Sequence, residues 1–316
     1  MSHSLRDSWR RLTQGAAPAP NAALTARLDP AFSGAAPVAI DRVAMLSAAF
    51  PAEFPIAETV TTRVLEAITG VNLSSLARRS PGLAGFDWVG YLRCSVARVV
   101  RVQRALALHV PGGGRVLDFG SYFGNFALAC RAAGFEVDAI DAYREYGAAF
   151  ASCVSLQQHA GIAVHDFADS ARCLPAGNYD AVICAGVIEH IPHTPRQLLT
   201  RLTALMKPGG VLVLDTPNLA YLYRRLALLE GQTVFSPIAQ QFYTELPFEG
   251  HHREYTVAEV EWMLRASGHD LLSVETFNYS VFAQAELSGD HADYFRAMRG
   301  DATLREIIMA VSRRTA

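Results

Sequence analysis

From Arg115 to Asp215, short apolar runs alternate with helix-like segments, and this rhythm constrains the fold more than any other feature of the chain. Residues 116–119 read as a strand, 123–133 as a helix stopped by Gly134, 136–140 as a strand and 143–159 as a helix. Strands over 162–165 and 179–184 follow, then a helix over 195–206, the turn Lys207-Pro208-Gly209-Gly210 and a strand over 211–215. Connections of helical length bring successive strands back in parallel, with helices packed on both faces of the sheet. After Asp215 the rhythm breaks. An insertion at about 217–255 holds a helix over 219–229. Thr256 then caps a helix over 257–266, and 271–277 reads as a strand. A second insertion, about 285–303, carries a short helix before a final strand over 307–311.

The first third of the chain has a different texture. Residues 14–37 are rich in Ala and Pro, with Pro18, Pro20, Pro30 and Pro37, and predict a mobile arm. Residues 41–109 predict helices. Ile56, Val60, Val64 and Ile68 form one apolar stripe, and Trp88, Leu92, Val96, Val99 and Leu106 a second. The second helix stops at Pro111 and the glycines at 112–114. Arg93, Arg98, Arg101 and Arg104 lie off its stripe and are expected on a solvated face. The organisation predicted is an arm over 1–40, a helical extension over 41–110 and an α/β domain over 111–316.

Composition narrows the function. With 51% hydrophobic residues in 316, a large core can form. A net charge of −2 excludes a generally basic nucleic-acid binder, so no nucleic acid is expected as partner. Five cysteines, none in a C-x-x-C spacing, predict free buried thiols in a reducing compartment. No apolar run long enough to cross a bilayer and no leader-like segment is visible, so a cytoplasmic protein without a membrane span is expected.

The chemistry concentrates at the strand ends. Asp118-Phe119-Gly120-Ser121-Tyr122-Phe123-Gly124 joins a strand to a helix. Glycines let the backbone turn and approach a ligand, and the helix start offers free N–H groups. Asp141 ends the next strand, where a carboxylate can accept both hydroxyls of a ribose. The loop does not fit the G-x-G-x-x-G dinucleotide pattern, because Tyr122 stands where such loops carry a middle glycine.

Taken together, five segments resemble class I S-adenosylmethionine (SAM)-dependent methyltransferases. Val116 through Ser121 looks like their first motif, in a Gly-Ser-x-x-Gly variant, and Asp141 like their ribose-binding acid. His165-Asp166-Phe167 is similar to the loop that meets the adenine. Residues 179–184 with Val187-Ile188-Glu189-His190-Ile191 resemble the fourth motif, and residues 205–210 the turn before the fifth strand. The resemblance implies a Rossmann-like seven-stranded α/β sheet, mostly parallel with the last strand antiparallel, flanked by helices, with the N-terminal helical extension and a cap insertion. Residues 307–311 would be the antiparallel strand, so a C-terminal truncation is expected to destroy folding. SAM is the implied cofactor and S-adenosylhomocysteine its product. The implied cofactor contacts are Asp118, Gly120, Ser121, Tyr122, Gly124, Asp141, Ala142, Asp166, Phe167 and Ala185.

Asp215-Thr216-Pro217-Asn218 and Gly250-His251-His252-Arg253-Glu254-Tyr255-Thr256 together look like a subgroup that methylates glycans and natural products. A small-molecule or sugar acceptor is therefore expected, methylated on a hydroxyl oxygen. The aromatics Tyr221, Tyr223, Phe235, Phe242, Tyr243 and Phe248 are candidates to roof its pocket. A hydroxyl acceptor benefits from a base, and an unperturbed imidazole titrates near neutrality. Of His190, His193, His251 and His252, His190 is favoured as catalytic because it follows the fourth strand and His251 because the resemblance to the subgroup's segment implies it, with Glu189 to orient substrate or a histidine. His190, His193, Asp215 and His251 do not make a complete ligand set by spacing, so no metal is expected. Cys184 ends a buried strand and is expected to be inert. Two other functions fit a similar fold: a non-catalytic binding protein, for which Tyr122 could crowd the methionyl end, and a nicotinamide-dependent oxidoreductase.

Overall fold

The computed structural model describes residues 36–74, 76, 85–169, 173–244, 248 and 250–315. Most of the predicted arm, residues 1–35, lies outside the described residues. The part that is described includes β1 (Val38–Ala39), a short strand. Three helices follow: α1 (Arg42–Ala49), α2 (Phe54–Ile68) and α3 (Trp88–His109). Asp41 caps α1 on the Ala44 N–H, Pro55 starts α2, and Asp87 caps α3 on the Gly90 N–H.

The α/β alternation then runs β2 (Arg115–Phe119), α4 (Asn125–Ala132), β3 (Glu136–Asp141), α5 (Tyr143–Tyr146), α6 (Ala151–His159), β4 (Ala163–Asp166) and β5 (Tyr179–Ala185). It continues with α7 (Pro195–Leu205) and β6 (Met206–Pro217). The single helix expected over 143–159 is broken at Gly147, whose φ of +59° takes the chain out of helical geometry. Likewise Lys207-Pro208-Gly209-Gly210 lies within β6, as an irregularity in its pairing with β5 between Tyr179 and Ala181.

The remainder comprises α8 (Leu222–Leu229), α9 (Ile238–Tyr243), α10 (Val257–Ala266), β7 (His269–Phe277), β8 (Glu286–Leu287), α11 (Gly289–Gly300) and β9 (Ile307–Arg314). The start of α10 is a capping box in which Thr256 and Glu259 satisfy each other's backbone N–H. β1 and β8 pair antiparallel, tying residues 38–39 to the second insertion.

The sheet order is β4-β3-β2-β5-β6-β9-β7, and β9 is antiparallel to both its neighbours. This is the seven-stranded, mostly parallel sheet implied by the sequence. Both faces are covered. Val116, Val137, Ala139, Ala181, Ile183, Val211 and Val213 pack under α2, α3, α4 and α6. Their alternates Leu117, Ile140, Val182, Cys184, Leu212 and Leu214 pack against α7 and α10. The period of two therefore sends apolar residues to both sides, as parallel strands buried on two faces require.

The expectation of a solvated arginine face on α3 is not met. Arg93 is exposed, but Arg98 is buried, and Arg101 lies between the rings of Phe50 and Phe277, 4.8 and 4.1 Å from their centroids. Burial brings the Arg101 guanidinium down to about 10. Arg104 pairs with Glu53 at 3.0 Å over the Phe50 ring. The cause is that α3 is enclosed on almost every side beyond its first turn: Ser95, Ala97, Val100, Val102 and Ala105 are buried along with Leu92, Val96, Val99 and Leu106 of the predicted stripe. No helix among the described residues is long and apolar enough to cross a membrane.

Candidate active site

The parallel strands end along one edge, which brings Phe119, Asp141, Asp166, Ala185 and Asp215 into a row. Open α/β sheets bind ligands at this edge. Beyond β2 the loop turns through Gly120 and Gly124, both at φ +85°. A Cβ on Gly120 would stand 2.3 Å from Val187 Cγ2, and one on Gly124 would run into the Gln157 side chain. Both glycines are thus demanded by packing as well as by the turn. Tyr122 has φ +51° and is the one non-glycine residue at positive φ among those described. Its ring lies against Trp88, Phe123, Tyr146 and Phe150, with centroids 4.6–6.0 Å apart.

The acids at the strand ends have distinct surroundings. Asp118 is buried and accepts the Ala127 N–H at 3.0 Å, so its carboxylate anchors the start of α4. Burial pushes it up to about 7. Asp141 accepts the Tyr122 and Ala142 N–H groups, one on each oxygen, both at 2.6 Å. Each oxygen keeps a further lone pair. Burial raises Asp141 to about 6 against those two bonds. Asp166 accepts the Arg144 N–H at 2.8 Å and the Ala168 N–H at 2.9 Å, and Phe167 packs on Phe119 at 5.0 Å. Ser121 is buried, with its hydroxyl 3.4 Å from Gln157 Oε1.

Glu189, His190 and His251 meet beside the end of β5, with ligand-type atoms all within 4.8 Å of one another. Glu189 is buried, and its Oε2 accepts from the Thr216 hydroxyl at 3.1 Å. Its carbonyl accepts the His252 N–H at 2.7 Å, which fastens the 250–256 segment to β5. A bridge between Asn218 and Tyr255 fastens the same segment to the end of β6. Burial pushes the Glu189 carboxyl up to about 7, against the opposing pull of His251. The His190 and His251 rings stand edge to face, 4.6 Å apart. A cation would accept such a spacing, but the other members of the set weighed from sequence are elsewhere. Asp215 is held by Arg98 and His193 is exposed. Outside that set, His252 bonds the Phe248 carbonyl at 2.9 Å.

Three features were not anticipated. Arg98, from the helical extension, reaches the end of β6 and holds Asp215 through Nε at 2.9 Å and through Nη2. Its guanidinium also takes the space that a Cβ on Gly186 would need. Glu254 accepts from His251 Nδ1 at 2.7 Å and from Arg224. Lastly, the insertion's aromatics are divided between the surface and local packing. Phe235, Phe242 and Tyr243 are exposed, Tyr223 packs on Tyr294 at 5.3 Å, and Phe248 packs on His252. Cys184 is buried, and burial pushes its thiol well above the ordinary range.

A family model described as a methyltransferase domain matches residues 90–274, more than half of the chain. A ubiquinone biosynthesis O-methyltransferase from Xanthomonas axonopodis pv. citri is 35% identical over 122 residues, 38% of this chain and about half of that protein's length. One from Burkholderia thailandensis is 28% identical over 182 residues, 56% of this chain and 72% of that one. Among solved structures, the 1,6-didemethyltoxoflavin-N1-methyltransferase of B. thailandensis, with S-adenosylhomocysteine bound, is 17% identical. It covers 70% of this chain and 79% of its own, with a TM-score of 0.45. The chain belongs to the methyltransferase-domain family.

Proposed function

We propose that the chain transfers the methyl group of SAM to a hydroxyl oxygen of a small molecule, with the acceptor facing Glu189, His190 and His251. The observation that carries this reading is the convergence of those three side chains at the ligand-binding edge. The relatives named as O-methyltransferases support oxygen as the receiving atom. The two loosely similar segments at 215–218 and 250–256, joined through Asn218 and Tyr255, keep sugars and phenols together as acceptor classes.

The cofactor fits the residues present. Asp141 retains a lone pair on each oxygen for the two ribose hydroxyls. Ala142, Asp166 and Phe167 lie where the adenine would rest. Gly120, Ser121, Tyr122, Gly124 and Ala185 would hold the methionyl end, with Asp118 anchoring the helix that follows their loop. SAM supplies an activated methyl on a sulfonium, so the protein has to align the acceptor, exclude water and remove one proton. His251 takes that proton. Glu189 shares the site as a buried carboxyl that can accept a hydrogen bond from the acceptor or from a neighbouring imidazole.

The test is a radiolabelled-SAM screen of phenols, catechols and sugars, with Asp141→Ala and His251→Ala beside the parent protein. Asp141→Ala should weaken S-adenosylhomocysteine binding by about 1.5–3 kcal/mol, roughly 10- to 150-fold, by losing charge-assisted hydrogen bonds. His251→Ala should bind the product normally and slow transfer by about 10²–10⁴-fold. Transfer at the parent rate in His251→Ala would remove His251 as the base.

A further inference from the structure

We propose that Glu254 and Arg224 are positioning residues that fix the tautomer of His251 and so make it a base. The inference deepens the reading above and rests on His251 as the proton acceptor. Glu254 Oε1 lies 2.7 Å from His251 Nδ1 and also accepts from the Arg224 guanidinium. Glu254 is buried, at 5% exposure, and its second oxygen is enclosed without a partner. An ionised carboxylate only accepts hydrogen bonds, so Nδ1 must carry the hydrogen, and in the neutral ring the lone pair falls on Nε2. Without Glu254 either tautomer is open, and in one of them no lone pair remains at Nε2.

Arg224 donates to the same Glu254 oxygen that faces His251 Nδ1, and so holds the carboxylate against the ring. Arg224 stands on α8 of the insertion, donates also to the Val234 carbonyl and lies over the Tyr221 ring at 5.5 Å. One guanidinium thus joins α8, the loop at residue 234 and the 250–256 segment that carries His251. The insertion that borders the acceptor side therefore also sets the protonation geometry of the base.

The transfer balances. The acceptor O–H proton passes to His251 Nε2, while the oxygen forms a bond to the methyl carbon. The carbon–sulfur bond breaks with its electron pair left on sulfur, which turns the sulfonium into a neutral thioether. The imidazolium is held by the Glu254 carboxylate until its proton leaves to water. The arrangement of base, orienting carboxylate and fixed tautomer follows the logic by which a buried acid steers a catalytic histidine.

The experiment uses nitrogen-15 NMR of the His251 ring in the full chain with S-adenosylhomocysteine bound, which needs no acceptor. The parent protein should show His251 with hydrogen on Nδ1. Glu254→Gln should lose that preference and populate the Nε2–H tautomer, whereas Glu254→Asp should largely restore it. Glu254→Gln should unfold at a lower temperature through loss of its ion pair with Arg224, while product affinity should stay at the parent value in both. If Glu254→Gln does not fold, Arg224→Gln is measured the same way and should show a smaller shift in the same direction. An Nε2–H tautomer in the parent, or an unchanged tautomer in Glu254→Gln, overturns the proposal. Full transfer activity in His251→Ala would overturn the base assignment instead, and the NMR result separates the two failures.

Discussion

Replacing Arg98 with Met tests how the helical extension is locked to the catalytic sheet. The Asp215 side chain is completely buried, and that of Arg98 is 9% exposed. Both are hydrogen-bonded to each other through two nitrogens of the guanidinium. Removing the arginine leaves a carboxylate in the interior with its charge uncompensated, at a cost of about 3–5 kcal/mol. Unfolding entropy of about 2.1 cal/mol/K per residue over 316 residues amounts to roughly 0.66 kcal/mol/K, so the melting temperature should fall by about 5–8 °C. Asp215→Leu alone should be similarly destabilising, because it strands the guanidinium. The double variant should recover most of the loss, since replacing both members of a buried pair by apolar groups is often neutral. Urea unfolding of the four proteins gives the coupling energy directly. A loss below about 1 kcal/mol in Arg98→Met, or a double variant as unstable as the two losses added, would refute the argument.

Stability should also depend on pH through buried acids. Burial pushes Asp118 up to about 7, well above an ordinary aspartate, so the folded protein holds a proton that the unfolded chain has released. Stability from this group is therefore full at low pH and falls as pH rises from about 4 to about 7. Asp118→Asn should make the slope shallower in urea titrations over that range, with Asp141 and Glu189 providing the remainder. An unchanged slope in the variant would show that Asp118 is not the source. The proposed mechanism uses no metal, so treatment with EDTA should leave methyl transfer at its initial rate. Loss of activity that added divalent cation restores would replace His251 as a base with His251 as a ligand.

The sheet was legible because its strands announce themselves as short apolar runs ended by Asp118, Asp141, Asp166 and Asp215. His190 and His251, which meet in the structure, were singled out by two different signals: His190 follows the fourth strand, and the 250–256 segment resembles the glycan and natural-product subgroup. The arginines of α3 were misread because a periodic stripe records where a helix is most apolar, not where it is least covered. Residues off the stripe, Ala97, Val100 and Ala105, are small or apolar as well, and a helix apolar on most sides is enclosed on most sides. The pairing of Glu254 with Arg224 had no sequence signal, because they are 30 positions apart and meet only when α8 folds back on the 250–256 segment.

The place of β9 between β6 and β7 bears on how this chain reaches its fold. The first five strands of the sheet can associate through local crossovers, yet the outer edge of β6 then stands bare while β7 has no neighbour to join. Only β9 can bridge them, and it pairs with β6 across about ninety residues of intervening chain. A folding intermediate of this protein would thus display an unpaired, strongly apolar central strand, Val211 to Leu214, to any other chain that met it. Its yield on refolding should therefore fall with concentration well before its native stability becomes limiting.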